Sequence, residues 1–384
     1  MQADFHYYAT YCASLLAGFP HEDATRIAYS ANFVDCCTAT ILKRVQLPTC
    51  AATTQSQLEL ADSNTDIWGL QEITRIWSSF HFLPAKLDAE VKAIKNYRDK
   101  FRLICFPNGC LVGKTVELAK DTNLEAVGVA MHVLADTWAH QNFAGTPSLV
   151  INNTQHHFFQ FNTETEKWER IKFSHNVAKK DNFKTGRYIN SIYQEAEHGI
   201  MNLGHGRAGH LPDYSFIKYK YMPAWGNYAE IVKDNPQDYL NAFAQMVYAL
   251  KYLKGTNKKF SLNTYDFDAI KKHRAEIEAI IKKPQLDASE DWMKFGKKLS
   301  GKTLKPFDLN KYVEKYLKCK DKSKAQLTNF VVAAIKQKDM VTKNVHNSKN
   351  MLTGHSICTG KKASKELLNY LKTVNGKDVE VAHE

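Results

Sequence analysis

Long hydrophobic runs are missing from this chain. Its 384 residues contain no stretch of roughly 18 apolar residues, the length a helix needs to cross a bilayer. The first residues, MQADFHYYATYCASLLAG, lack the basic and long apolar regions of a cleavable signal. A cytoplasmic protein is expected, with secretion by a leaderless route left open. Cysteine pairs of the C-x-x-C type are missing too. The eight cysteines are Cys12, Cys36, Cys37, Cys50, Cys105, Cys110, Cys319 and Cys358, and several lie in apolar helical runs, where a free thiol acts as a small hydrophobe. Cys105 and Cys110 flank a Phe-Pro-Asn-Gly turn that could bring them together. There is no internal repeat, no sustained heptad seam and no low-complexity tail.

Phosphate-binding glycine loops are also lacking. Gly109-Cys-Leu-Val-Gly113-Lys114-Thr115 is one residue short of a P-loop and no strand clearly precedes it, and the SGKT at 300–303 has no supporting context. No histidine is followed directly by aspartate, which argues against the HD phosphohydrolases.

What is present is ordinary in amount and uneven in placement. Hydrophobic residues make up 44% and charged residues 24%, enough for a sizeable core in a soluble fold. Residues 1–230 hold 22 Lys+Arg against 23 Asp+Glu, so all of the net charge of +12 belongs to the remainder of the chain. The excess there is mostly lysine, either a solvated helical surface or an attraction for nucleic acid or anionic membrane.

Periodicity predicts a mostly α protein: a multi-helix bundle with a small β-hairpin insertion and a lysine-rich helical C-terminal region. Helices are expected over 5–16, from His21 onward through IAYSANFVDCCTATI, and over 66–77, 84–102, 116–120, 122–143, 186–203 and 238–253. Residues 46–65 read as loop. Residues 155–174 alternate apolar and polar around Asn-Thr-Glu-Thr, the one convincing hairpin signal. Beyond Gly255 come lysine-rich helices at 266–282, 287–299, 308–319, 325–338 and 364–373. The texture divides the chain into a metal-binding helical domain, 1–255, and a basic region, 256–384.

The chemistry centres on Thr122–Phe143, read as an amphipathic helix. His132, Asp136 and His140 stand four residues apart, so each step turns about 40° and all three share one side. Thr122 followed by Glu125 matches a capping box at its start. Imidazole and carboxylate on an apolar helical face need a partner, and a divalent ion supplies one. His6, His81, His205 and His210 also lie in apolar or glycine-rich settings with an acid nearby, as Asp35 closes an apolar run and Asp213 follows His210 by three. Neutral imidazole and carboxylate suit zinc. Nine candidates exceed what one closed site would use and can serve two or three ions. His156, His157, His346 and His355 read as surface residues.

In order and local wording these segments resemble the superfamily of zinc-dependent phospholipase C and the single-strand-specific zinc nucleases, and they are most similar to a bacterial branch of unknown function. HYYATYCASLL resembles its first metal-bearing helix, VDCC its metal-binding aspartate at a helix end, FHFLP its H-F segment, and HVLAD with AHQNF its later ligands. The resemblance covers roughly residues 1–225. It implies zinc, two or three ions, held by His6, Asp35, His81, His132, Asp136 as a bridge, and His140. GHGRAGHLPD departs from the family's final H-x-x-x-E, and His210 and Asp213 take that role, with His205 as substitute or third-ion ligand. Family enzymes use the amine of a processed first residue; Met1 is unprocessed, so Asp4 is the expected replacement.

The implied activity is phosphoester hydrolysis by a metal-activated water, with Asp35 orienting or deprotonating it and Arg207 clamping phosphate. The substrate class is lipid, nucleotide or protein-linked phosphate. Trp138, Phe80, Phe82 and Phe143 either wall a cleft or belong to the core. The competing reading is a non-catalytic, metal-stabilised protein whose basic C-terminal region binds nucleic acid, anionic membrane or a protein partner.

Overall fold

The computed structural model describes residues 1–56, 58–60, 67–88, 102–154, 157–174, 180–190 and 203–349. The chain is mostly helical, with a small sheet inserted between the helices. Counting α-helices of six residues or more, α1 (Thr10–Leu16) is entered through a π-helical turn, Asp4–Ala9, and is followed by α2 (His21–Phe33) and α3 (Ala39–Arg44). Next come α4 (Ile67–Phe80), α5 (Cys110–Ala119) and α6 (Leu124–Ala139). After the sheet lie α7 (Asn235–Leu253), α8 (Arg274–Lys282), α9 (Ser289–Ser300), α10 (Asn310–Lys318) and α11 (Gln326–Asn347). Among the described residues no helix is long and apolar enough to cross a membrane.

The helix α6 is the axis of the bundle, packed by α2, α5, α7 and α11. It is not amphipathic: Val127 to Ala139 is buried without interruption. A helix covered on all sides reads apolar all round, and its polar residues must then find partners inside. Its start also differs from the capping-box expectation. The Asn123 side chain accepts from the Ala126 amide at 2.9 Å, Thr122 donates back to the Ala119 carbonyl at 2.7 Å, and buried Glu125 pairs with Arg26 at 2.9 Å. Glu125 has a stronger partner than the backbone amide a capping box would offer it.

Four strands form an antiparallel sheet in the order β2–β1–β5–β6, where β1 is Phe159–Asn162, β2 Lys167–Arg170, β5 Lys218–Tyr221 and β6 Ile231–Asp234. A second, parallel pair joins β3 (Lys172–Ser174) to β4 (Arg187–Ile189). The hairpin is where its alternation placed it, but β5 and β6 complete the sheet from further along the chain, β5 starting only at Lys218. Arg187–Ile189 is strand where helix was expected, and residues 191–202 lie outside the described set. One face of the sheet, carrying Gln160, Tyr219, Tyr221 and Lys233, is buried. The Lys233 ammonium reaches the Trp138 carbonyl at 3.0 Å and Asp238 at 2.5 Å, fastening the sheet to the end of α6.

Other boundaries moved as well. The second helix stops at Phe33, and α5 begins six residues before the expected Val116. Pro84–Asp88 is not helical, and the rest of the expected 84–102 helix falls mostly outside the described residues, as does 364–373. The change in composition near 255 does not divide the core. Tyr312 packs on Tyr29 at 4.1 Å between ring centres, Phe330 on Phe33 at 4.9 Å, and Trp292 stacks on Phe243 at 5.3 Å. Cys105 is buried, Cys110 is exposed, and both are free thiols.

Candidate metal centre

Short polar segments at helix ends converge on α6. The π-helical turn brings His6, the turn after α2 brings Asp35, and the residue after Phe80 of α4 is His81. From α6 itself come His132, Asp136 and, at its C-cap, His140. The helical turn Gly204–Ala208 adds His205, and the turn Leu211–Asp213 adds Asp213. These side chains form three groups whose candidate ligand atoms lie within 4.8 Å of one another: His6 with Asp35 and His132, His81 with His132 and Asp136, and His140 with His205 and Asp213. Each group could hold a metal ion, and His132 is common to the first two.

The hydrogen bonds behind the cluster fix which ring nitrogens are bare. A carbonyl only accepts, so the nitrogen facing it carries the proton. His132 Nδ1 donates to the Ala31 carbonyl at 2.9 Å, His81 Nε2 to the Thr53 carbonyl at 2.9 Å, and His140 Nδ1 to the His81 carbonyl at 2.8 Å. In the neutral rings of His132 and His140 the other nitrogen is therefore a lone pair turned inward, and in His81 it is Nδ1 that faces the cluster. His81 Nδ1 and His132 Nε2 face each other at 3.3 Å, and each lies 3.2 Å from the same oxygen of Asp136. His6 Nε2 meets the other Asp136 oxygen at 3.0 Å. Carbonyl partners behind ligating histidines are the usual outer shell of a metal site.

Charge states follow from burial and from the three aspartates. Burial holds His6, His132 and His140 down to a pKa of about 4, so they are neutral at ordinary pH. His6 and His132 stack at 3.8 Å, a contact that would also oppose two charges. Burial works against a charge on His81 as well, but its contacts with Asp136 and Asp35 raise its pKa. For Asp136 burial is outweighed by the surrounding rings and the chain's amine, which hold the carboxyl well below its usual range. Asp213 is held low in the same way. Asp35 differs. Its oxygens stand 3.7–3.9 Å from His6, His81 and His132, looser than those of Asp136, and 34% of its side chain is accessible. Enough protein surrounds it for desolvation to push its carboxyl up.

Two expectations are corrected here. His210 is not among the three groups: its Nδ1 bonds Asp181 at 2.9 Å, Tyr214 donates to the same carboxylate at 2.7 Å, and half of the His210 side chain is exposed. His205 takes the inward position instead, 3.3 Å from Asp213. Nor does Asp4 replace the amine. Its carboxylate accepts from the Ala288 amide at 3.0 Å, while the Met1 amine itself lies buried at 2.8 Å from Asp136, 3.1 Å from His140 Nε2 and 3.1 Å from Asp213. Burial opposes charge on that amine, yet Asp136, Asp213 and Asp35 raise its pKa to about 11.

The aromatic candidates divide. Phe80 is in the main core and Trp138 donates to Gln245 at 2.8 Å, both structural. Phe82 stacks on His140 at 4.9 Å, and Phe143 meets His205 edge-on at 5.8 Å, so these two wall the centre. Arg207 is buried, unlike a solvated loop arginine. His157 is a surface residue paired with Glu230 at 3.1 Å, His346 is half-buried on α11, and His156 and His355 lie outside the described residues.

A family model described as a family of unknown function (DUF6765) matches residues 1–347. The chain belongs to that family. The DUF6765 match takes in the histidine cluster and also α7 to α11, in keeping with the core they share. No curated protein and no solved structure matches the chain.

Proposed function

We propose that this DUF6765 protein is a multi-zinc hydrolase acting on phosphoester bonds. The observation that carries the reading is the convergence of two imidazole nitrogens, His81 Nδ1 and His132 Nε2, on each other and on one carboxylate oxygen. Two ring nitrogens and a carboxylate oxygen at that spacing share a positive charge, and a metal ion ligated by all three supplies it. The donor set, neutral imidazole plus carboxylate, fits zinc, and thiolates are absent from all three groups. Two or three ions would be held by His6, Asp35 and His132, by His81, His132 and Asp136, and by His140, His205 and Asp213.

Bound zinc supplies a Lewis acid that lowers the pKa of coordinated water and offsets phosphoryl charge. The chain's own residues do the rest. Asp136, enclosed and held as a carboxylate, links the histidines and keeps the ligand geometry. Asp35 is the loosest and most accessible acid, suited to orient water or take its proton. Phe82 and Phe143 keep solvent from His140 and His205. Arg207 lies in the same turn as His205, and we assign its fork to phosphoryl oxygens. Lipid, nucleotide and protein-linked phosphate remain the substrate classes.

Elemental analysis and a panel of phosphodiesters and phosphomonoesters test the reading on wild type and Asp136→Asn. At least two zinc per chain, and turnover of one substrate that falls by roughly a hundredfold or more in the variant, are expected. Fewer than two ions would overturn it. Two ions with no turnover, together with salt-sensitive binding to DNA or anionic vesicles through the basic C-terminal region, would favour the non-catalytic alternative.

A further inference from the structure

The sheet has a second face, and its composition is unlike the rest of the surface. In register, Phe159 lies opposite Arg170 on β2 and Lys220 on β5, and Lys220 opposite Val232 on β6. One step along, Phe161 lies opposite Trp168, and Lys218 opposite Asp234. Residues opposite one another share a face. Phe159, Phe161 and Trp168 therefore sit together on the side away from buried Gln160, Tyr219 and Tyr221. All three rings are partly accessible, and Val232 is 51% exposed. Two lysines reach across them: the Lys220 ammonium lies 5.0 Å from the Trp168 ring centre and 5.4 Å from Phe159, and Lys218 lies 5.7 Å from Phe161.

We propose that this face is a docking surface for single-stranded nucleic acid, separate from the metal centre. Partly accessible aromatic rings on adjacent strands, interleaved with cations, match what an unpaired strand presents: a flat π-face on each base and a charge on each phosphate. Duplex DNA hides its base faces, and a lipid surface has none. The cations are not locked away. Lys218, 39% accessible, pairs with Asp234 at 3.1 Å, and Lys220, 19% accessible, with Glu230 at 3.0 Å; both acids are about 40% exposed or more, and pairs at the surface contribute little, so phosphate can compete for the lysines. Arg170 on the edge strand is exposed and adds a third positive group. The opposite face faces the metal centre through Tyr221 stacked on Phe143, so a docked strand lies behind the cluster and its binding needs no zinc.

The test is fluorescence anisotropy of the full chain with a labelled oligothymidylate, a duplex of equal length and anionic vesicles. Preference for the single strand is expected. Trp168→Ala with Phe161→Ala should weaken it about tenfold, within the range for lost base stacking. Lys218→Gln with Lys220→Gln should reduce the salt slope by about 1.4 for two lost phosphate contacts. Asp136→Asn should leave binding unchanged, so failure of the hydrolase reading would not touch this one. Thermal melting of each variant guards against unfolding, and the lysine pair reports even if the aromatic pair misfolds. No binding, equal binding to duplex or vesicles, or single-strand binding that survives both sheet variants would overturn the proposal. The last result would move the site to the lysine-rich C-terminal helices.

Discussion

Asp4 shows how far a single side chain's neighbourhood decides its role. Two residues from His6, it reads as a ligand, yet the helical turn points it at the start of α9. One oxygen accepts from the Ala288 amide, and the other is buried with no hydrogen-bond partner. Burial pushes its pKa up to about 6. The folded protein therefore favours the neutral acid, and the stability Asp4 contributes is complete below its ordinary value of 3.8 and lost as pH rises through about 6. Asp4→Asn keeps an oxygen for Ala288 and removes the charge. It should melt higher than wild type at pH 8, by up to about 3 kcal/mol of stability, with the gain gone by pH 4. Melting curves across that range check it, and a gain that grows toward acid would contradict the sign. Eight residues of the cluster were legible because each sits in a short local pattern: His6, Asp35, His81, His132, Asp136, His140, His205 and Asp213. His210 was misread because its partner, Asp181, is 29 residues away and no spacing announces it.

Between elements, α2 approaches α6 closely, and Gly128 permits it. A methyl group there would stand 2.5 Å from the Ile27 carbonyl oxygen and 2.5 Å from Ser30 Cβ. The same approach lets Ser30 donate to the Glu125 carbonyl at 2.8 Å and brings the Ala31 carbonyl to His132. Gly128→Ala should force the helices apart, costing roughly 1–3 kcal/mol as overpacking does, and lower zinc content because His132 loses the bond that fixes its ring. Gly226→Ala, where an added methyl meets nothing within 4 Å, is the control. Chemical denaturation with metal analysis measures both effects. A Gly128→Ala protein as stable and as metal-rich as wild type would remove the argument. None of this closeness is visible in a glycine read as one more apolar position of a helix.

For the whole molecule, the candidate ligands span from His6 to Asp213 and come from six separate segments. Ions held there cross-link the N-terminal turn, the ends of α2 and α4, the central helix and the two turns between β4 and β5. A ligand that binds only the folded state stabilises it by mass action. Chelation should therefore lower the melting temperature by several degrees, and added zinc should restore it where magnesium does not. An unchanged melt after complete metal removal would mean that the cluster closes without an ion.

Local pattern was enough for the helical class, the 159–170 hairpin, the lysine-rich tail of the charge distribution and most of the histidine–aspartate set, because each depends on residues within a turn or two of one another. Three features depended on the tertiary structure. The central helix is buried on every side because α7 and α11 return to it from more than a hundred residues away. The sheet is completed by β5 and β6, whose four-residue strands pair only across long loops. The inward faces of His81, His132 and His140 are set by carbonyls of other segments, and it is those distant hydrogen bonds that turn a row of histidines into a candidate metal centre.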